Sequence, residues 1–339
     1  MNEVRWGLLS TAHINRKVIP AIRRSERGIL AAVASRSQSK ADAYARKWDI
    51  PRAFGSYQEM LTSGAIDAVY LSLPNHLHAE WSLQALQAGL HVLCEKPLAL
   101  SLEEVDAMIT ASREQERVLA EAFMYRHHPQ TNLVGDWVHT GRLGEISLIR
   151  GIFNFQLGKK QRRPEQLNIR LVPEYGGGSL WDVGVYPISL AQFLMGRAPT
   201  WVFGSSKQGE TGVDETFVGQ LGYSPFQQPG AATQIASSFE SPFHTRVEII
   251  GSRGRLSLTR PFTNLNQRRR VVFTAKNGRR RLLRSSRKPL YLGEIEDMHR
   301  AILDSQPPLI SLEESRNHIA TVLALYQSAR REQVLRLAQ

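Results

Sequence analysis

Read for the spacing of apolar positions, the chain changes character near residue 123. Before that point, short apolar runs alternate with amphipathic stretches. Residues 4–9, 29–34, 67–72, 91–94 and 118–121 are compact runs, as strands buried on both faces are. Residues 14–24, 37–48, 77–88 and 101–113 read as helices between them, and in the second Ala41, Tyr44, Ala45 and Trp48 share one face. Ser56 with Glu59 and Ser101 with Glu104 have the spacing of capping boxes, and Gly89 stands where a left-handed helix stop belongs. Strands alternating with helices across short turns predict a parallel sheet covered on both faces. Ligands of such sheets bind outside the carboxyl ends of the strands.

Beyond residue 123 the rhythm is different. A helix at 131–139 leads into a strand at 146–155. A polar loop, the run Gly176-Gly177-Gly178 and a helical stretch to about 195 follow. From 201 to 284, strand-like runs such as 217–221, 233–239 and 247–250 are separated by turn residues, which predicts an antiparallel or mixed open sheet. Helices at 292–304 and 312–330 close the chain. The expected fold class is α/β: an N-terminal Rossmann domain with a parallel sheet at 1–122, then a C-terminal α+β domain with a large open, mostly antiparallel sheet at 123–339.

Length allows this, since 339 residues can fill two cores. No apolar run reaches the roughly 18 residues of a membrane helix, and the first residues lack a signal-peptide pattern. One cysteine, Cys94, excludes an internal disulfide framework and a cysteine zinc cluster, and the simplest compartment is a reducing cytoplasm. The net charge of +12 is mostly local: ten basic residues and no acidic ones lie between Arg268 and Lys288, and the remainder is near +2. That tract reads first as a solvated hairpin face, second as an anion site for a phosphorylated ligand, and third as a nonspecific nucleic-acid contact. No reading module for nucleic acid accompanies it.

Three strand ends carry the candidate chemistry. The first, Gly7 through Ser10, Ala12, His13 and Ile14, occupies the place of a dinucleotide turn, with Ser10 and Ala12 where glycines are usual. Small residues still permit close backbone approach, and the helix dipole does not require glycine. The second is Ser35-Arg36-Ser37, with no acid to bind a ribose 2′-hydroxyl and an arginine suited to a 2′-phosphate, so NADP is favoured over NAD. The third is Glu95-Lys96-Pro97. His76 and His78 have no third ligand at metal spacing, so no metal is expected.

These stretches, with Leu73-Pro74-Asn75-His76-Leu77-His78, the run from Glu121 to Pro129, and Gly176 to Pro187, resemble the Gfo/Idh/MocA oxidoreductase family. Within it the dihydrodiol dehydrogenase and NADP-dependent xylose dehydrogenase branch is most similar, and sugar 3-ketoreductases more loosely so. The resemblance implies hydride transfer between NAD(P) and a sugar, polyol or related small-molecule substrate, and a homo-oligomer formed through the second sheet. It implies Lys96 as catalytic lysine, and Asp182 with Tyr186 as its partners, Tyr186 standing where many relatives carry histidine. On this reading Lys96 and Tyr186 handle the proton and either could be the shuttle; with Tyr186 in that role, Lys96 lowers its pKa and steadies developing alkoxide, and Asp182 holds the substrate or Lys96. Leu73, Pro74, Asn75, His78, Glu95 and Arg170 are expected near the cofactor. A nucleotide-sugar 3-ketoreductase and a non-catalytic NADP-binding regulator are the alternatives.

Overall fold

The computed structural model describes residues 2–228, 230–263 and 270–337. It divides into two compact units. The first comprises 1–127 with 288–316, the second 128–287 with 317–339.

In the first unit, β1 (Val4–Leu9), α1 (Asn15–Arg24), β2 (Gly28–Ala34), α2 (Gln38–Trp48), β3 (Arg52–Phe54), α3 (Tyr57–Thr62), β4 (Ala68–Leu71), α4 (His78–Gln87), β5 (His91–Glu95), α5 (Leu102–Glu114) and β6 (Leu119–Ala122) follow one another. The six strands form one sheet in the order β3-β2-β1-β4-β5-β6, and every pairing is parallel. The reversal of order at β1 places β2, β1, β4 and β5 side by side, so all three predicted strand-end motifs leave at one edge.

Local chemistry explains most element ends. The capping box at Ser101 forms, its hydroxyl accepting from the Glu104 amide while the Glu104 carboxylate accepts from the Ser101 amide. The box expected at Ser56 does not: Ser56 precedes α3 without a side-chain bond. Gly89 takes the left-handed conformation predicted for it, φ +78°. The short β3 was not expected, because three residues carry no readable periodicity.

The sequence reading put both closing helices in the second domain. The structure instead packs α8 (Leu292–Leu303) into the first unit. Ile295 and Met298 belong to the same core as Trp6, Leu8, Val18, Ile22 and Tyr70. The Trp6 indole donates to His299 Nε2 at 2.9 Å, and Ser25 Oγ lies 3.0 Å from its Nδ1. Burial, above all, holds His299 down to about 4, so the ring is neutral and can accept. Chain order alone does not show such a return, because the helix's apolar stripe fits either core.

The second unit holds α6 (Pro129–His139), β7 (Ile146–Asn154), a π-helical turn at Leu180–Gly184, α7 (Val185–Met195), β8 (Trp201–Gln208), β9 (Asp214–Gly222), β10 (Ala232–Ser238), β11 (His244–Gly251), β12 (Gly254–Thr259), β13 (Arg270–Ala275), β14 (Arg280–Leu283), most of α9 (Leu312–Arg331) and β15 (Leu335–Arg336). Nine strands form one mixed sheet in the order β14-β13-β12-β11-β7-β10-β9-β8-β15, parallel at β7/β10 and antiparallel elsewhere. Of the basic tract, Arg268 and Arg269 lie outside the described residues. Lys276, Arg279, Arg280 and Arg281 are exposed around the β13–β14 turn at the sheet edge. Charged edges of this kind discourage strand addition. No helix among the described residues is long and apolar enough to cross a membrane.

Helix α7 lies on this sheet where β7 carries a glycine. A Cβ at Gly151 would stand 2.5 Å from the Pro187 Cβ. Gly151→Ala should therefore cost about 1–3 kcal/mol by urea unfolding. Gly158→Ala, whose new carbon meets its nearest neighbour at 3.5 Å, should stay within about 0.5 kcal/mol of the parent.

Candidate active site

The turn from β1 to α1 is built without the usual glycines. Ser10 holds φ +133°, a conformation that favours glycine. Its hydroxyl offsets that strain by bonding the Ser72 carbonyl at 3.1 Å and accepting from the Ala12 amide at 3.1 Å. Asn15 completes the brace: its amide donates to the Ser10 carbonyl at 2.8 Å, and its side-chain oxygen accepts from Ser72 Oγ at 2.7 Å. Ser10, Asn15 and Ser72 are buried. The end of β1 is thus tied to the end of β4 through three small polar side chains. Ile14 caps α1 without a side-chain bond, and the Asn15 and Lys17 amides turn back onto the Ala12 and Ile14 carbonyls at 3.1 and 2.8 Å. His13 is exposed and its pKa is lowered, by what burial it has and then by Arg16, Lys17 and Lys47. Gly7 lies within β1 rather than in the turn; a Cβ there would meet Ile66 Cδ1 at 2.8 Å, so its small size serves the core.

At the end of β2, Ser35 is buried and Arg36 exposed. Burial raises the Tyr57 phenol's pKa above its ordinary value, and the nearby Arg36 charge opposes the shift. Tyr57 is itself held edge-on against Trp81, ring centroids 5.0 Å apart. The arginine stands at the sheet edge near Tyr57, with no acid at the adjacent Ser35 or Ser37.

At the end of β4, Leu73, Pro74 and Asn75 turn into α4, with the Leu77 amide bonded to the Pro74 carbonyl at 2.9 Å. His78, expected beside a cofactor, is 0 % exposed. Its Nδ1 lies 2.7 Å from the Pro97 carbonyl and its Nε2 2.9 Å from the Leu73 carbonyl. One ring thus spans the two strand ends. Burial pulls its pKa below the ordinary value, against the two carbonyls, which favour the charged ring.

Glu95 closes β5 and accepts a hydrogen bond from the Tyr70 hydroxyl. Lys96 follows, half-buried, and the Lys96–Pro97 peptide bond is cis. The buried Glu121 carboxylate accepts from the Leu98 amide at 3.0 Å. Lys96 is therefore framed on both sides by braced backbone. Cys94 beneath it is buried, and burial raises its thiol well above the usual range.

In the second unit the triple glycine has a packing reason. Gly176 and Gly178 take positive φ, +72° and +124°. A Cβ at Gly177 would stand 2.7 Å from the Arg170 and Val172 carbonyls, and one at Gly178 would lie 2.1 Å from Asp214 Oδ1. Asp214 anchors the helix start that follows. It accepts from Ser179 Oγ and the Leu180 amide at 2.8 Å each, and from the Tyr326 hydroxyl at 2.5 Å. Its burial raises its pKa, and those donors oppose the shift. The sequence reading missed Asp214. An acid opening a largely apolar strand is a weak signal without its distant donors.

Asp182 lies in the π-helical turn and Tyr186 in the first turn of α7. The helical stretch runs through both despite Pro187, and the wide turn lies just before the proline. Asp182, 15 % exposed, pairs with Arg170 Nε at 2.6 Å. Arg170 also stacks over Phe155. Tyr186 is buried between Phe153 and Phe262, with ring centroids 5.4 and 5.6 Å away. No group of three or more metal-ligating side chains occurs among the described residues.

The first unit defines a class: a dinucleotide-binding α/β protein, with a helix start that has no side-chain cap after β1, an arginine after β2 and a lysine after β5. Residues 4–123 match the oxidoreductase family with an NAD-binding Rossmann fold, and residues 132–257 match the GFO/IDH/MocA C-terminal domain. The chain is similar to D-xylose 1-dehydrogenase (NADP(+)) 2 of Haloferax volcanii, 36% identical over 327 residues, 96% of this chain and 97% of the relative. It is also similar to trans-1,2-dihydrobenzene-1,2-diol dehydrogenase of Danio rerio, 31% identical across 75% of this chain and 74% of that one. Among solved structures it resembles KijD10, a 3-ketoreductase from Actinomadura kijaniata in complex with NADP and TDP-benzene. There the TM-score is 0.86 at 29% identity, covering 96% of this chain and 98% of that one. The chain belongs to the Gfo/Idh/MocA oxidoreductase family.

The bracing at β5 can be tested directly. His78→Leu removes the ring whose Nδ1 and Nε2 face the buried Pro97 and Leu73 carbonyls. It should cost about 1–3 kcal/mol in urea unfolding.

Proposed function

We propose that the protein is an NADP-dependent oxidoreductase acting between an alcohol and a carbonyl on a sugar or related small molecule. The observation that carries the reading is the shared sheet edge. There a helix start without a side-chain cap, Arg36 and Lys96 follow β1, β2 and β5, and no acid neighbours Arg36 at Ser35 or Ser37. The small residues Ser10 and Ala12 leave room for a pyrophosphate at the α1 N-terminus, and Arg36 supplies a planar donor for a 2′-phosphate. Asn75 and Glu95, at the ends of β4 and β5, suit the nicotinamide end. When bound, NADP supplies the hydride acceptor or donor.

The chain's own residues supply the proton chemistry. Lys96 Nζ orients the substrate oxygen and stabilises negative charge developing on it. Tyr186 Oη takes the proton from the hydroxyl in the oxidative direction and returns it in the reductive one. Asp182, fixed by Arg170, accepts a hydrogen bond from a neighbouring substrate hydroxyl. Similarity to the 3-ketoreductase structures supports a second reading, in which the sugar is nucleotide-linked. We further take the outer face of the second sheet, where Phe203 and Val218 are 37% and 51% exposed on the same side, as the surface for self-association.

Initial rates with NADP and NAD over a panel of aldoses, trans-diols and a dTDP-linked keto sugar test the reading. Turnover should require NADP. Lys96→Met should lower kcat by about 10²-fold or more while NADPH still quenches tryptophan fluorescence on binding. Undiminished turnover in that variant overturns the assignment. Arg36→Ala should raise the KM for NADP by about tenfold or more and leave that for NAD unchanged.

A further inference from the structure

The phenol that donates to Asp214 belongs to the last helix of the chain, and the proposed chemistry does not use it. Tyr326 stands half-buried on α9, and its hydroxyl meets Asp214 Oδ1 at 2.5 Å. Its ring centroid lies 5.9 Å from that of Trp181, the residue before Asp182, and 5.6 Å from that of Phe217 on β9, which it meets edge-on. One side chain thus bears on the π-helical turn twice. It does so directly through Trp181, and again through Asp214, whose Oδ2 holds Ser179 and Leu180. Ser179 Oγ is steadied from the other side by Ser237, 3.0 Å from that hydroxyl and 3.3 Å from that carbonyl.

Gly178 is the junction between these contacts and the Arg170–Asp182 pair. Its amide donates to the Arg170 carbonyl at 2.9 Å, and its carbonyl accepts from the Asp182 amide at 3.0 Å. A Cβ there would stand 2.1 Å from Asp214 Oδ1 and 2.8 Å from the Tyr326 hydroxyl. The carboxylate and the phenol therefore pack against the one residue whose backbone is bonded to both members of the ion pair. Arg170 Nε then reaches Asp182 Oδ2 at 2.6 Å.

We propose that Tyr326 is a positioning residue for Asp182, acting through Asp214 and Gly178. This rests on the reading that Asp182 meets the substrate. Asp214 Oδ1 is buried against Gly178, so a lost donor there is not replaced by solvent without cost. Removing the hydroxyl leaves that oxygen to draw on the Ser179 and Leu180 donors that Oδ2 now holds, and the start of the turn follows it. A shift of a fraction of an ångström in that turn moves the Asp182 carboxylate relative to Arg170 and to the substrate hydroxyl it accepts from, and catalysis is sensitive to displacements of that size. The effect is confined to the substrate side. NADP on the proposed reading is held by strand ends of the first unit, whereas Tyr326, Asp214, Gly178 and Asp182 belong to the second.

The experiment is a double-mutant cycle in the full chain: parent, Tyr326→Phe, Asp182→Asn and the two together. The substrate is whichever of D-xylose, a trans-1,2-diol and a dTDP-linked keto sugar the parent turns over fastest with NADP or NADPH. Tyr326→Phe keeps both ring contacts and loses only the hydroxyl. It should lower kcat/KM for the substrate about tenfold and leave the KM for the cofactor unchanged. In the Asp182→Asn background the same change should cost almost nothing further, because the group it positions is gone. Equal losses in the two backgrounds, as a general loosening of the fold gives, overturn the proposal, and so does a Tyr326→Phe enzyme as active as the parent. If Tyr326→Phe does not fold, Ser179→Ala takes its place in the cycle, since it removes another donor to Asp214, and equal losses overturn the proposal in the same way. Parental kcat/KM in Asp182→Asn defeats the Asp182 reading itself. An impaired Asp182→Asn beside a parent-like Tyr326→Phe defeats this inference alone.

Discussion

Backbone geometry at the end of β5 rests on side chains that bond carbonyls and amides far away in sequence. His78 ties Pro97 to Leu73, and Glu121 ties Leu98 to β6. Both are buried, so both bonds lie where an unmade partner costs most. A lysine on a mobile turn would spend its long side chain's entropy each time it met a substrate. Here the turn that carries Lys96 is fixed before any ligand arrives. The same logic applies across the sheet edge. Ser10, Ser72 and Asn15 fix the β1 turn.

The serine at position 10 shows how a glycine fingerprint can be replaced while its backbone geometry is kept. Glycine is used in a dinucleotide turn because it adopts positive φ freely and presents no side chain. Ser10 adopts that φ at a cost, and its hydroxyl turns inward to Ser72 and Ala12. The side chain is thereby removed from the space a pyrophosphate would fill. A sequence pattern that asks for glycine fails here, although the backbone requirement behind it is met.

What could be read from the sequence divides along the range of the interactions. Strand and helix positions depend on apolar spacing within a dozen residues, and β1, β2, β4, β5, β6 and the helices between them fell close to where that spacing placed them. The Ser101 box was legible because both of its bonds are local, whereas Ser56 has the same letters and makes no such bond. The strand-end motifs were legible as residue types. Their partners were not. His78 looked like a polar residue near a cofactor, and only the fold shows that it faces two carbonyls. Asp214, Tyr326 and His299 act at long sequence separations, so no window of local sequence contains the reason for them. The membership of α8 in the first unit was hidden for the same cause, since an amphipathic stripe names a core without saying which.

The second unit shows the same dependence on distance from another side. Gly177 and Gly178 are small because the 170–172 backbone and Asp214 occupy the space a side chain would need. Asp214 in turn holds Ser179 and Leu180, and so fixes where the π-helical turn begins. That turn sets Asp182 against Arg170, and the helix that continues from it carries Tyr186 into the stack of Phe153 and Phe262. A buried carboxylate with three donors is thus the anchor from which the aspartate and tyrosine take their positions. In the first unit Glu294, on α8, is buried too. Burial alone does not decide what a carboxyl does: Asp214, with three donors, organises a helix, whereas burial pushes the Glu294 acid well above the usual carboxylate range.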